Sequence, residues 1–233
     1  LLLDSMGYEV ILTARRRERL EALAGRLQNP SKVIAADLTK REECFALIDA
    51  AGDVDVLVNG AGFGVIGAFD QTSLDAELSL IDVNITALHI LTKHYWKRFL
   101  QRGSGYVLNI ASVASFFPGP KFSSYYASKA YVLRLSEALY QEQKRHKNAV
   151  SISVFCPGPV NTEFNDVAGV RFALKGISAK EAARCAVKGM FQKKRIIACP
   201  LTVRFLRVLS KITPDAVSLY FVSKMQEKKE GRK

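Results

Sequence analysis

The chain has 233 residues, of which 48% are hydrophobic, and its formal net charge is +12. This length and apolar content are enough for one folded domain with a sizeable core, which excludes a largely disordered chain. The basic residues are scattered and no nucleic-acid-binding motif accompanies them, so DNA and RNA are excluded as the primary partner, whereas an anionic cofactor or an anionic membrane remains a candidate.

Short apolar segments alternate with longer amphipathic segments along the chain. The predicted strands are Tyr8–Thr13, Val33–Ala36, Val54–Val58, Tyr106–Ile110, Val150–Phe155 and Arg195–Ala198. The predicted helices are Arg16–Leu27, Arg41–Ala51, Ser73–Leu100, Ser124–Lys147 and Ser178–Phe191. Strands separated by helices pair in parallel, and right-handed crossovers place helices on both faces of the sheet. We therefore predict an α/β fold with a Rossmann-like doubly wound parallel sheet, in a single domain covering 1–233.

Polar and glycine-containing segments follow the predicted strands. They are Ala14-Arg15, Asp37-Leu38, Asn59-Gly60-Ala61-Gly62, Ser112 and Pro157-Gly158-Pro159-Val160-Asn161-Thr162. Because ligands of doubly wound sheets bind at the carboxyl ends of the strands, we expect these segments to meet around one site.

Ser112, Tyr125 and Lys129 are the candidate catalytic residues. Tyr125 and Lys129 are four apart on a predicted helix and so project from one face. A neighbouring ammonium lowers the pKa of a phenol, and a serine hydroxyl at a strand end can hold an oxygen whose charge changes. Together they could move a proton to or from a carbonyl or alcohol oxygen. The alternative is an ordinary helix surface, since this spacing is common by chance.

These motifs, in this order, resemble the short-chain dehydrogenase/reductase family. The resemblance extends from Tyr8 to about Ala198 and includes Asn84, and Ser112 precedes Tyr125 by 13 positions, the interval usual in that family. It implies an oxidoreductase with Tyr125 as general acid or base, Lys129 lowering its pKa and binding the nicotinamide ribose, and Ser112 orienting the substrate carbonyl. Asn84 would hold a water that links Lys129 to solvent. Tyr126 is a competing phenol outside this register.

The same resemblance implies a nicotinamide dinucleotide cofactor. Asp37 and Leu38 would meet the adenine, and Asn59, Ala61 and Gly62 the adenosine ribose. Residues after the strand Val150–Phe155 would face the nicotinamide; they are Pro157, Gly158, Val160 and Thr162.

The choice of dinucleotide depends on the residues after the first strand. NAD-specific sites usually place an acid there, but this chain has Ala14 followed by Arg15 and Arg16, and a guanidinium can clasp a 2′-phosphate. This predicts NADP(H), unless the arginines only begin a solvated helix.

The family pattern also begins with a strand and a glycine-rich turn that holds the pyrophosphate at a helix N-terminus. This sequence opens at Leu1-Leu2-Leu3-Asp4, without them. We expect roughly 25–30 residues of a longer protein to be missing from the sequence, a figure that follows from the length of a strand, turn and helix. The alternative is a real truncation that could not bind the cofactor.

Aromatic residues near the expected pocket predict a lipophilic substrate. The segment Asn165–Gly176 is predicted to form a lid, which offers Phe164, Val167, Val170, Phe172 and Leu174. Phe116, Phe117 and Phe122 lie between Ser112 and Tyr125, where they either line the pocket or pack in the core or a subunit contact. A steroid-like ketone is the first substrate class and a 3-oxoacyl thioester the second. A non-catalytic dinucleotide-binding regulator is the alternative of another class.

The remaining predictions concern partners and location. Four cysteines without a Cys-x-x-Cys pair, and no recognisable signal peptide, predict a reducing, cytoplasmic location. The three histidines lack metal-ligand spacing, so no metal is predicted. The family resemblance implies a homodimer or homotetramer. The basic amphipathic extension 201–233 could lie on an anionic membrane, cover the pocket or pack on a subunit.

Overall fold

A computed structural model describes residues 1–146, 149–164 and 176–230, with side chains up to residue 224 in the last range. The strands are β1 Val10–Ala14, β2 Ser31–Ala35, β3 Val56–Asn59, β4 Ser104–Ile110, β5 Ala149–Pro157, β6 Val160–Asn161, β7 Ile177–Ser178 and β8 Ile196–Cys199. The α-helices are α1 Arg17–Ala24, α2 Arg41–Ala51, α3 Leu74–Ile81, α4 Leu88–Arg102, α5 Ser123–Gln143, α6 Ala179–Phe191, α7 Leu201–Ile212 and α8 Asp215–Glu230.

All strand pairs in the described residues are parallel, so the predicted α/β class is confirmed. The main sheet has the order β3-β4-β5-β8, and β1 pairs with β2 in a separate sheet. A short pair, β6 with β7, was not predicted. In the main sheet Asn59 of β3 lies opposite Asn109 of β4, which brings two buried amides together at the carboxyl end.

Both faces of the main sheet are covered by helices. Val107, Val150 and Ile152 pack in one cluster with Leu91 and Phe99 of α4. On the other face, a second cluster joins strand residues to α6; it contains Leu108, Phe155, Ile197, Ala182, Ala186 and Met190. Burial on both sides explains why β4 and β5 are apolar along most of their length.

The predicted helical stretch Ser73–Leu100 is confirmed, since the chain is helical from Leu74 to Arg102, but it is not one regular α-helix. The chain forms α3, then a π-helical segment at Asp82–Ala87, then α4. Ser73 caps α3 by accepting a hydrogen bond from the Ala76 amide, and Gly103 ends α4 in a left-handed conformation. Hydrophobic periodicity cannot detect one wider turn, and such turns occur often at functional sites.

The C-terminal extension forms two helices, α7 and α8, which are separated at Thr213 and Pro214. Within the described residues, none of the helices combines the length and apolar character needed to cross a membrane.

Candidate functional site

Ser112, Tyr125 and Lys129 meet at the carboxyl end of β4. Ser112 follows this strand and caps a short 3₁₀ turn, Val113–Phe116, by accepting a hydrogen bond from the Ala114 amide at 3.1 Å. Tyr125 and Lys129 lie one turn apart on the buried side of α5. The Ser112 hydroxyl also lies near the Tyr125 phenol, close enough for a hydrogen-bonding effect that lowers the pKa of the phenol. The structure thus brings the three predicted catalytic side chains together.

Tyr125 lies in an apolar enclosure. Its ring stacks on Phe122, with centroids 4.5 Å apart, and on the side of the cleft it contacts Phe164 at 5.5 Å. Burial raises the pKa of Tyr125 to about 12, while the hydrogen bond from Ser112 acts in the opposite direction. The net shift is upward because desolvation of the phenolate outweighs the effect of Ser112.

The Lys129 ammonium is buried beside Tyr125. Its Nζ lies 5.8 Å from the centre of the Tyr125 ring and donates a hydrogen bond to the Ile110 carbonyl at 3.0 Å. Burial lowers the pKa of Lys129 to about 8. An ammonium has three N–H donors, and this hydrogen bond uses one of them. The other two can bind acceptor atoms of a substrate or a cofactor.

Asn84 reaches the same place from the π-helical segment. Its side chain accepts a hydrogen bond from the Phe63 amide at 3.1 Å, and donates to the Phe63 carbonyl at 2.9 Å and to Ser128 Oγ at 3.0 Å. It therefore fixes the loop after β3 against α5. A Cβ on Gly62 would lie 2.9 Å from Asn84 Oδ1 and 3.2 Å from Lys129 Nζ, so these two side chains converge over Gly62.

A cleft of about 610 Å³ lies between the two sheets at the carboxyl ends of β1 and β3. Its lining includes most residues predicted to bind adenosine, namely Arg15, Asp37, Leu38, Asn59, Ala61 and Gly62. The small residues 60–62 let a flat ligand approach the backbone closely. The cations and the small residues fit the adenosine part of a dinucleotide, which supplies hydride chemistry when it is bound.

Arg15 and Asp37 face each other across one end of this cleft. Asp37 accepts hydrogen bonds from the Thr39 amide and hydroxyl, which lower its pKa, and the charge of Arg15 lowers it further. Its carboxylate is therefore ionised and already partly satisfied by protein donors. Arg15 itself is exposed and extends from the end of β1.

Sequence reasoning missed Glu163 at the mouth of the cleft. Its Oε2 lies 2.7 Å from Arg19 Nη1 and 3.7 Å from Arg16 Nη2, and the pairing with Arg19 lowers the pKa of Glu163. Glu163 and Phe164 both line the cleft. Nothing in the local sequence indicates this long-range pair, because the partners are far apart along the chain.

Sequence reasoning also missed the apolar residues that border Tyr125. Phe63, Val65 and Ile66 pack in the cluster that contains Leu80 and Tyr125. The only sequence signal was the apolar run that follows the glycines at 60 and 62. Phe122, for which the sequence left the pocket and the core as alternatives, is a core residue that supports the Tyr125 ring.

Asn59 has a structural partner as well as a place in the cleft. Its side-chain amide donates to Asn109 Oδ1 at 2.8 Å and to Thr92 Oγ1 at 3.0 Å, and Asn109 donates to Ser136 Oγ at 3.0 Å. This buried polar chain ties β3, β4, α4 and α5 together. The Asn59 side chain is thus held in place, and its backbone is the part that borders the cleft.

The predicted nicotinamide segment lies beyond the cleft lining given above. Pro157 ends β5, Gly158 donates its amide to the Cys199 carbonyl at 2.9 Å, and Val160 packs against the α6 side of the sheet. Thr162 Oγ1 accepts from the Phe164 amide at 3.4 Å. The predicted lid, with Val167, Val170, Phe172 and Leu174, lies outside the described residues.

Metal chemistry was not predicted, and within residues 1–146, 149–164 and 176–230 no group of three or more His, Cys, Asp or Glu side chains could hold a metal ion.

Comparison with known proteins gives a consistent result. The model of the short chain dehydrogenase family matches residues 1–170. An uncharacterised oxidoreductase of Staphylococcus epidermidis is 30% identical over 210 residues, which cover 87% of this chain and 88% of that relative.

Solved structures agree. A short-chain dehydrogenase from Sphingobium yanoikuyae in complex with NADPH has a TM-score of 0.81 and 29% identity, over 92% of this chain and 90% of that one. A bulky-bulky ketone specific alcohol dehydrogenase from Comamonas testosteroni has a TM-score of 0.74 and 25% identity, over 92% and 88%.

Proposed function

The chain belongs to the short-chain dehydrogenase family, and from this premise we propose that it is an NADP(H)-dependent oxidoreductase that interconverts a carbonyl and an alcohol on a lipophilic substrate. The observation that carries the proposal is the burial of Tyr125 and Lys129 side by side on α5, with the Ser112 hydroxyl near enough to act on the Tyr125 pKa. A proton donor and an oxygen-binding hydroxyl at one point are what carbonyl reduction requires.

In the direction of reduction, the substrate oxygen lies between Ser112 and Tyr125. Ser112 donates a hydrogen bond that polarises the carbonyl, and Tyr125 transfers its phenolic proton to the oxygen as hydride reaches the carbon. Lys129 then stabilises the phenolate, since its ammonium is buried beside the Tyr125 ring. Oxidation of an alcohol uses the same groups in reverse, with Tyr125 as the base.

The choice of NADP(H) is supported by charge. Arg15 and Arg16 line the cleft and follow β1, where NAD-specific sites usually have an acid. The Sphingobium yanoikuyae relative binds NADPH. We assign the 2′-phosphate to Arg15, with Arg16 as the neighbouring cation, because a guanidinium donates two parallel hydrogen bonds to a phosphate.

The choice of a lipophilic substrate is supported by the surroundings of Tyr125. Phe63, Val65, Ile66 and Phe164 pack around its ring. An apolar substrate surface buried against them contributes binding energy without a desolvation cost for polar groups. The bulky ketone specificity of the Comamonas testosteroni neighbour points to the same substrate class.

We also propose a homodimer or homotetramer in the cytoplasm. A groove of about 410 Å³ between α4 and α5 is lined by Trp96, Leu100, Leu135 and Leu139, and could accept a second subunit. The four cysteines of the described residues are free thiols, which fits a reducing compartment.

A carbonyl panel tests the function. Purified protein is mixed with NADPH and, separately, with steroid ketones, bulky aryl ketones, small polar ketones and a 3-oxoacyl thioester, and NADPH absorbance is followed. We expect NADPH to be oxidised in the presence of the bulky apolar ketones. If NADPH were oxidised with the thioester alone, the substrate would be a 3-oxoacyl thioester and not a lipophilic ketone. NADPH binding without turnover of any compound would instead identify a dinucleotide-binding regulator.

A further inference from the structure

Helix α7 presents three distinct faces. Val203, buried, with Leu206 and Ser210 half-buried, faces the protein. On the opposite side lies an outward stripe of apolar residues that are 37% to 74% exposed: Leu201, Phe205, Val208, Leu209 and Ile212. Arg204, Arg207 and Lys211 form one flank between the two faces. The spacing of the stripe, at intervals of three and four, makes it continuous along the helix.

A basic concavity adjoins this flank. It measures about 420 Å³, is formed by α6, β8 and α7, and is lined by Lys188, Lys194, Arg204 and Arg207. No carboxylate is found among its described lining residues. Arg204 is held in place, since its Nε donates to the Ala198 carbonyl at 3.1 Å. Cations and an exposed apolar stripe therefore occupy the same side of the molecule.

A second copy of the chain is a poor occupant for this surface. In an antiparallel two-fold contact through the apolar stripe of α7, the basic flank of one helix would lie beside the same basic flank on its partner. An anionic surface with an apolar interior complements both features, and a bilayer that contains acidic phospholipids has this composition.

We propose that α7 lies in the plane of an anionic membrane surface, with Phe205 and its apolar neighbours among the acyl chains and the basic flank on lipid phosphates. The adjoining concavity takes one acidic headgroup. This inference is independent of the proposed catalytic function, because none of its residues belongs to the catalytic group. It places the protein on the membrane, where lipophilic ketones dissolve.

Vesicle sedimentation tests the proposal with the full chain. We expect the protein to pellet with vesicles of phosphatidylcholine and phosphatidylglycerol, and far less with phosphatidylcholine alone. Equal pelleting, or none, with the two kinds of vesicle overturns the proposal. Release by inorganic phosphate at constant ionic strength also overturns it, since the basic site would then be one for free phosphate.

Matched variants test the two parts of the surface. Phe205→Glu should abolish pelleting, whereas Phe45→Glu, at an exposed aromatic on α2, should leave it unchanged. The double variant Arg207→Gln, Lys211→Gln should weaken partitioning roughly 30-fold, at about fivefold per charge. The control double variant Arg26→Gln, Arg41→Gln removes two positive charges elsewhere and should reduce partitioning onto the vesicles much less.

Light scattering without vesicles separates a membrane from a second copy. We expect Phe205→Glu to keep both the wild-type molecular mass and the wild-type melting temperature. A fall in mass would show that the stripe joins subunits and would overturn the membrane proposal. If Phe205→Glu fails to fold, the double variant Arg207→Gln, Lys211→Gln and its control still test the proposal. Tyr125→Phe should bind vesicles as the wild type does, because membrane binding does not depend on the catalytic group.

Discussion

The hydroxyl of Ser112 lies near the phenol of Tyr125 at the end of β4 and lowers its pKa, against the larger effect of burial. One residue follows a strand and the other lies in the first turn of α5, so the contact depends on how these two elements pack. Burial keeps the phenol protonated, with a pKa raised to about 12, and the serine places its oxygen. The pair is therefore set to donate a proton, which is the state needed for carbonyl reduction.

Removal of the phenolic hydroxyl tests this role. Tyr125→Phe should lower kcat by about 10²-fold or more, the usual contribution of a general acid. Cofactor affinity, measured by NADPH fluorescence, should be nearly unchanged, because the ring still packs on Phe122. Tyr126→Phe is the matched control and should retain most of the activity. A variant at Tyr125 that kept full kcat would contradict the assignment.

The buried ammonium of Lys129 should make stability depend on pH. Its pKa of about 8 in the folded protein lies below the ordinary lysine value of 10.5, so between these pH values the unfolded chain binds more protons and stability rises with pH. Relative to Lys129→Met, the wild type should gain on the order of a few kcal/mol between about pH 7 and about pH 10. Urea unfolding of both proteins measures this difference. A constant difference would show that Lys129 is solvated.

The position of the candidate catalytic residues could be predicted because it depends on local rules. Because Tyr125 and Lys129 are four residues apart, they lie on the same face of a helix. The pattern of apolar strands and amphipathic helices predicts that Ser112 lies at the carboxyl end of the parallel sheet. The alternation of elements also predicted the parallel pairing. These features follow from periodicity, which is visible in a single sequence.

Features that depend on tertiary packing could not be predicted. The π-helical turn that carries Asn84 leaves no periodic signal, and the pair between Glu163 and Arg19 joins distant parts of the chain. The direction of the Tyr125 pKa shift also required the structure, because the burial of a phenol is set by neighbours such as Phe122 and Phe164.

A methyl group at Gly62 should disturb the site. Its Cβ would lie 2.9 Å from Asn84 Oδ1, so Asn84 or Lys129 must shift. Gly62→Ala should cost about 1–3 kcal/mol of stability by overpacking and lower kcat by more than about tenfold. Gly60→Ala is the control, because its nearest neighbour would be at 3.9 Å. Similar behaviour of the two variants in urea unfolding and in turnover would refute the close approach.

Reversal of the charge at Arg15 tests the choice of cofactor. Arg15→Asp should shift the ratio of kcat/KM for NADPH to that for NADH by more than about tenfold toward NADH, since a carboxylate repels a 2′-phosphate and accepts a hydrogen bond from a 2′-hydroxyl. Arg17→Asp, on the α1 residue that pairs with Glu21, should change the ratio far less. An unchanged ratio for Arg15→Asp would remove Arg15 from the phosphate site.

Glu163 should oppose binding of the 2′-phosphate, because it already neutralises Arg16 and Arg19 at the mouth of the cleft. Glu163→Gln removes that negative charge and leaves the arginines to an incoming phosphate, so KM for NADPH should fall severalfold while KM for NADH stays nearly constant. Since these ion-paired groups are exposed, the melting temperature should hardly change. Glu21→Gln removes a carboxylate of the same exposure from α1 and should leave both KM values unaltered. An equal fall in KM for NADPH and NADH would show that the Glu163 carboxylate acts on a part of the dinucleotide that both cofactors contain. The assignment of the 2′-phosphate to this end of the cleft would then be wrong.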